Sequence, residues 1–253
     1  MNCYGITDIG KKRSSNQDRF SIFLPEHDSP CCLISVCDGM GGANGGETAA
    51  EMTIKIYNES VAETLCDCDG DGAVMAVLSR AAEKASSAVY AAASEDEALS
   101  GMGTTLVSCL RFNESGSTYL INVGDSRAYL VGESEIKQIS RDHSYVQHLI
   151  DMGELSPAKA ANHPQKNIIT RAIGIDSEVI PEVKKIDTAG YAYLLLCSDG
   201  LHGEVKDQDM KKILFDSSAD TVREKAEALV ALANKKGGND NITVVLLRLS
   251  DDQ

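Results

Sequence analysis

The spacing of apolar and polar residues divides the chain into short strands and two kinds of helix. β-type runs fall at Arg19 to Leu24 and Leu33 to Cys37. A Gly-rich turn through Gly39, Gly41, Gly42, Gly45 and Gly46 follows, with a helix predicted beyond it. From Val74, the residues Val77, Leu78, Ala81, Ala85, Ala88, Val89 and Ala92 recur at three- and four-residue intervals. That period predicts an amphipathic helix with a narrow, Ala-rich face suited to close packing. A strand-rich block comes next, at Thr104 to Arg111, Thr118 to Val123, Arg127 to Val131 and Ile136 to Ile139. Turn residues separate these runs, and the pattern predicts one antiparallel meander.

Residues 143–175 are less regular, with helical pieces at Tyr145 to Met152 and Pro157 to Ala161 followed by Asn, Pro and Gly punctuation; they are expected to form an inserted flap. Strands are predicted again at Glu182 to Ile186, Tyr193 to Cys197 and Ile242 to Leu249. Between them lie a helix near Asp207 to Phe215 and another that places Val222, Ala226, Leu229, Val230 and Ala233 on one face. Strands come in runs and helices in pairs, which favours antiparallel sheets covered by helices over a doubly wound parallel sheet. No linker interrupts the pattern, so residues 1–253 read as a single domain.

Composition narrows the functional classes. Apolar residues make up 43% of the 253 and charged residues 25%, a balance that supports a sizeable core. No apolar run approaches the length of a membrane span, and the first twenty residues lack a signal-type apolar stretch, so a cytoplasmic, non-membrane protein is expected. A net charge of −14 argues against nucleic acid as a partner. The eight cysteines form no C-x-x-C pair and the five histidines are scattered, so reduced packing thiols are expected rather than zinc.

The candidate chemistry is acidic. Leu33-Ile34-Ser35-Val36-Cys37-Asp38-Gly39 and Leu194-Leu195-Leu196-Cys197-Ser198-Asp199-Gly200 are buried-looking strands that each deliver a carboxylate followed by glycine. Asp18, Asp125 and Asp240 occupy three further strand termini. A single Asp-Gly is ordinary turn chemistry. Five such sites, two of them after strands too apolar for a surface, suggest convergence, and converging carboxylates need a cation. Oxygen ligands without clustered His or Cys favour Mg²⁺ or Mn²⁺. A pair of such ions is suited to hydrolysing a phosphate ester.

In this order, Arg13-Ser14-Ser15-Asn16-Gln17-Asp18, Val36-Cys37-Asp38-Gly39-Met40-Gly41-Gly42, Gly103-Thr104-Thr105, Gly124-Asp125-Ser126-Arg127, Ser198-Asp199-Gly200-Leu201 and Asp240-Asn241-Ile242-Thr243 resemble the motifs of the PPM-type (protein phosphatase type 2C) metal-dependent serine/threonine phosphatases, in their compact bacterial form. The resemblance spans nearly the whole chain. It implies an α+β fold, a four-layer α-β-β-α sandwich of two antiparallel sheets flanked by helix pairs. It also implies two Mn²⁺ or Mg²⁺ ions, with Asp38 bridging both, the Gly39 carbonyl on one, and Asp199 and Asp240 completing the other. Asp18 would hold metal-bound water, Asp125 with Asp199 would form a third, weaker metal position, and Arg13 would grip the phosphate. The implied reaction is one-step hydrolysis of phosphoserine and phosphothreonine in proteins by a metal-bridging hydroxide. The implied setting is a monomer that acts on phosphorylated proteins and opposes a cognate bacterial Ser/Thr kinase.

Two positions depart from the family pattern. Met40 stands where many eukaryotic relatives carry a histidine, which leaves the general acid to metal-bound water, or to His143 or His163 if the flap folds over the site. Gln17 replaces a frequent glutamate. Other readings fail. The stretch from Asp67 to Gly72 opens like a calcium loop but has Leu78 where the bidentate Glu belongs. No cysteine has the downstream arginine of a cysteine-based phosphatase, and the Gly39-to-Gly42 turn lacks the Gly-Lys-Ser/Thr of a nucleotide-binding loop.

Overall fold

The structure is a computed structural model describing residues 2–24, 31–42, 45–65, 68–160, 163–216 and 219–249. In chain order its strands are β1 (Cys3–Asp8), β2 (Asp18–Phe23), β3 (Cys31–Met40), β4 (Gly103–Thr104), β5 (Leu106–Phe112), β6 (Thr118–Val123), β7 (Arg127–Val131), β8 (Ile136–Gln138), β9 (Glu182–Ile186), β10 (Tyr193–Cys197) and β11 (Ile242–Arg248). Its helices are α1 (Gly45–Leu65), α2 (Asp71–Glu95), α3 (Tyr145–Asp151), α4 (Pro157–Ala160), α5 (Asp199–His202), α6 (Asp207–Asp216) and α7 (Val222–Lys236).

One sheet runs β1-β11-β10-β7-β8 and the other β2-β3-β5-β6-β9, with β4 paired to β3. Every one of these pairings is antiparallel. The period-2 alternation of strand side chains explains the layering. On β3, Ile34 and Val36 point into the core between the sheets, while Leu33 and Cys37 point into a second core under α1 and α2. On β10, Leu194 and Leu196 enter the central core, while Tyr193, Leu195 and Cys197 meet a third core built with α6 and α7. Strands covered on both faces need no polar side, which is why these two read as unbroken apolar runs. The result is the four-layer α-β-β-α sandwich. Truncating a fully buried leucine such as Leu33 would cost about 2–5 kcal/mol.

The meander expectation needs correction. β5 and β6 belong to one sheet and β7 and β8 to the other. The chain crosses between sheets at Gly124-Asp125-Ser126, where Gly124 adopts φ +104° and a Cβ would lie 2.6 Å from Thr105 Cγ2. β6 and nearly all of β7 are buried on both faces, each inside a different layer, so the chain changes layer between them. β1 and α5 were not anticipated. β1 is a half-buried edge strand whose pattern is weak, and α5 is a single turn.

Of the eight cysteines, the seven described are free thiols, five of them buried; Cys66 lies outside the described residues, as do His27, Asp67 and Ala161. Among the described residues no helix is long and apolar enough to cross a membrane. Residues 143–175 carry α3 and α4 and return along the sandwich through bridges Ser144↔Ile169 and Thr104↔Ile173.

Candidate active site

At one end of the sandwich a cleft of about 340 Å³ is lined by Arg13, Asp38, Gly39, Asp125, Asp199 and Asp240, together with Gln17 and Met40. Six of the seven residues singled out from the sequence therefore face one space. Asp18, the seventh, lies beneath it, 1% exposed and in register with Asp38 across β2 and β3.

The backbone around each of these aspartates is held by contacts from distant parts of the chain. The Asp38 amide donates to Thr105 Oγ1 (2.9 Å), and the Asp38 carbonyl accepts from the Thr105 amide and from Thr104 Oγ1 (2.9 Å each). Thr105 Oγ1 also bonds Ser126 Oγ at 2.7 Å, which links the Asp38 strand to the Asp125 crossover. Gly39 is required by crowding, because a Cβ there would stand 2.1 Å from the Gly46 carbonyl oxygen at the start of α1. Asp199 opens α5, and His202 at the end of the same turn reaches the Asp125 carbonyl through Nε2 at 3.1 Å. One helical turn thus carries one carboxylate and anchors the backbone of another. Asn241 accepts the Gln17 amide on Oδ1 (2.9 Å) and donates through Nδ2 to the Ile9 and Ser15 carbonyls, which ties the Arg13 loop beside Asp240.

Asp18 is buried yet well partnered: Oδ2 accepts from Ser198 Oγ (2.6 Å) and Thr243 Oγ1 (2.7 Å). Burial pushes its carboxyl up to about 7; the two hydroxyls pull it down, and Asp199 and Asp240 push it up again. Asp38 is driven well above the ordinary carboxylate range by burial and then by Asp18, Asp199, Asp125 and Asp240. Asp125 rises to about 7 through burial, Asp199 and Asp142. Asp199 rises to about 6 through burial and Asp240, although a hydrogen bond with Asp38 and the charges of Arg13 and Lys166 oppose this. Four carboxyls displaced upward by burial and by one another resist ionising together unless further positive charge is supplied.

Arg13 compensates only at the mouth, where Nη2 donates to Asp240 Oδ2 at 2.6 Å. That pair is 54% and 32% exposed, so it is worth at most about 1 kcal/mol. Repulsion between two carboxylates about 4 Å apart is near 4 kcal/mol at a near-surface effective dielectric. One exposed guanidinium does not neutralise this site.

The donor set fits divalent cations. Asp199 Oδ1 is buried without a hydrogen-bond partner, and a buried carboxylate oxygen in that condition costs about 1–3 kcal/mol or more unless a cation takes it. Among the described residues no three His, Cys, Asp or Glu side chains are placed so that they could hold a metal ion as they stand, so the carboxylates would have to draw together around one.

His143 and His163 stand away from this cleft. His143 is buried at the base of the 143–175 segment, where Nδ1 accepts the Gly124 amide at 3.2 Å, and His163 lies beside Tyr145. That segment reaches the cleft instead through Asn167 and Ile169. The supporting hydroxyls of Ser198 and Thr243 and these two residues were not read from the sequence. Ser198 and Thr243 carried a signal, because a hydroxyl inside an acidic motif is a ready hydrogen-bond donor; Asn167 and Ile169 carried none.

Residues 10–235 match the family described as Protein phosphatase 2C, and the chain belongs to that family: it is an enzyme, a protein phosphatase of the 2C class. Among its relatives, the Serine/threonine phosphatase stp of Listeria monocytogenes is 35% identical over 241 residues, covering 95% of this chain and 93% of that protein. Protein phosphatase PhpP of Streptococcus pneumoniae is 34% identical over 247 residues, covering 98% and 97%. The crystal structure of Serine/threonine phosphatase Stp1 from Staphylococcus aureus superposes with a TM-score of 0.87 at 34% identity, covering 99% of this chain and 96% of that one.

Proposed function

We propose that this protein hydrolyses phosphoserine and phosphothreonine in proteins with the help of Mn²⁺ or Mg²⁺, and that it opposes a Ser/Thr kinase. The observation that carries the metal dependence is the cleft in which Asp38, Asp125, Asp199 and Asp240 gather around a buried, unpartnered Asp199 oxygen. The relatives named as serine/threonine phosphatases support the substrate class.

Asp38, the Gly39 carbonyl, Asp199 and Asp240 would hold two ions, and Asp125 with Asp199 a weaker third. When bound, the ions neutralise the carboxylates and supply a water acidic enough to attack phosphorus. Asp18 orients water from below, held by Ser198 and Thr243. Arg13 leaves Asp240 for the phosphate oxygens, a release that costs little because the pair is exposed. Residues 143–175 serve as a flap on the single domain, bringing Asn167 and Ile169 over the cleft.

A phosphothreonine peptide and p-nitrophenyl phosphate, assayed with Mn²⁺, with Mg²⁺ and with excess chelator, test this reading. Turnover that requires the metal and is lost in Asp38→Asn is expected. Undiminished turnover in chelator would overturn it.

A further inference from the structure

Beside the cleft lies a second depression, of about 510 Å³, between the C-terminal end of α2 and the Gly174-Ile175 turn. Its walls include Tyr90 and Ile175, which are 39% and 43% exposed, and its rim carries Glu95 and Glu97. Neither glutamate enters any ion pair among the described residues. The walls are held in place. The Gly174 amide donates to the buried Ser86 Oγ of α2 at 3.0 Å, and Gly174, at φ +84°, packs so closely on α2 that a Cβ would meet Val89 at 2.2 Å.

Packed residues link the depression to the catalytic end. The Ile175 side chain packs over Gly103, where a Cβ would stand 2.8 Å from Ile175 Cδ1, and Gly103 pairs in register with Met40, which lines the cleft. Gly41, also on the cleft, packs against Gly101, which lines the depression. A polypeptide with one side chain in the cleft therefore has the groove within reach of a neighbouring residue.

We propose that this groove receives a basic side chain, arginine or lysine, that flanks the phosphorylated residue of the substrate, making it a determinant of substrate choice; the inference rests on the phosphatase reading above. The complementarity is specific. An arginine or lysine stem lies against apolar surface while its head stays polar. Tyr90 offers an aromatic face to the cation, and Glu95 and Glu97 offer unpaired carboxylates. An acidic or purely apolar neighbour would leave both carboxylates facing a like charge or desolvated.

The test moves one arginine, position by position, along an otherwise neutral phosphothreonine peptide. It reads kcat/KM with Mn²⁺, and in parallel the binding of the same labelled peptides by fluorescence anisotropy. Arginine at one flanking position should raise kcat/KM by about tenfold over alanine. The double variant Glu95→Gln/Glu97→Gln, and separately Tyr90→Ala, should erase that increment and leave p-nitrophenyl phosphate turnover within about twofold. Equal rates and binding for arginine and alanine peptides would overturn the proposal, as would an arginine preference that survives both variants. A concentration-dependent dimer abolished by Tyr90→Ala would assign the groove to a second copy and also overturn it. If the phosphatase reading itself failed, neither peptide nor p-nitrophenyl phosphate would be cleaved, and the anisotropy would still decide the groove.

Discussion

The floor and the mouth of the cleft each present an aspartate and differ in what surrounds it. On the floor, Asp18 is 1% exposed, locked in register with Asp38 and held by two hydroxyls. At the mouth, Arg13 and Asp240 meet as an exposed pair on loops that Asn241 ties together. Burial makes charge on the floor expensive and its geometry rigid; exposure makes the pair at the mouth cheap to exchange. A floor pinned by hydrogen bonds and a mouth whose guanidinium is exposed suit the metal-assisted hydrolysis proposed above.

Asp38→Asn attacks the floor most directly and should lower kcat by about a thousandfold or more, close to 4 kcal/mol of transition-state stabilisation. The same substitution removes one charge from the repelling set, so the melting temperature of the chelator-treated protein should rise. A fall in that temperature would show that the carboxylates do not repel one another.

The pH dependence of the metal-free protein sharpens the contrast further. Asp18 titrates near 3.8 when unfolded and about 7 when folded, and Asp125 follows the same course. The folded state therefore holds more protons between those values. Stability from this source is fully present below the unfolded value and is lost as pH rises through about 7. Melting of the chelated protein should fall from about pH 5 to pH 8, and Mn²⁺ should flatten the profile. A profile that rises over that range would contradict the burial of these groups.

Removing a hydroxyl from the floor should have a smaller effect. Thr243→Val and Ser198→Ala each withdraw a donor from a buried carboxylate, at about 1–3 kcal/mol, which is roughly 2–10 °C in melting temperature for a chain of this size. The mouth should respond least. Arg13→Ala should raise KM for a phosphopeptide by about five- to tenfold, with Arg13→Lys recovering only part because an ammonium cannot grip two oxygens. Its melting temperature should stay nearly constant, since the pair it breaks is worth about 1 kcal/mol or less. A large loss of stability in Arg13→Ala would erase the distinction between floor and mouth.

Much of the fold was legible because its strands and helices announce themselves by period. The apolar run ending at Cys197 and the three- and four-residue spacing from Val74 identify elements whose burial their own composition requires. Local pattern could not reveal which sheet a hairpin joins, because β6 and β7 look equally buried and only the Gly124 crossover separates them. The cleft was legible as motifs and not as support. Asp38 and Asp199 stand out next to glycines, whereas His202 holds the Asp125 backbone through a contact across 77 positions that no local spacing encodes.

Chain composition and order alone singled out the candidate side chains and required that their strands be buried, since apolar surface and turn-forming glycines are properties of each segment by itself. Folding decided that the carboxylates share one space, how far each is displaced from its ordinary titration, and that a separate groove opens beside them. Those depend on distances between residues far apart in sequence and on the low dielectric of a packed interior, and both exist only after the two sheets have closed on each other.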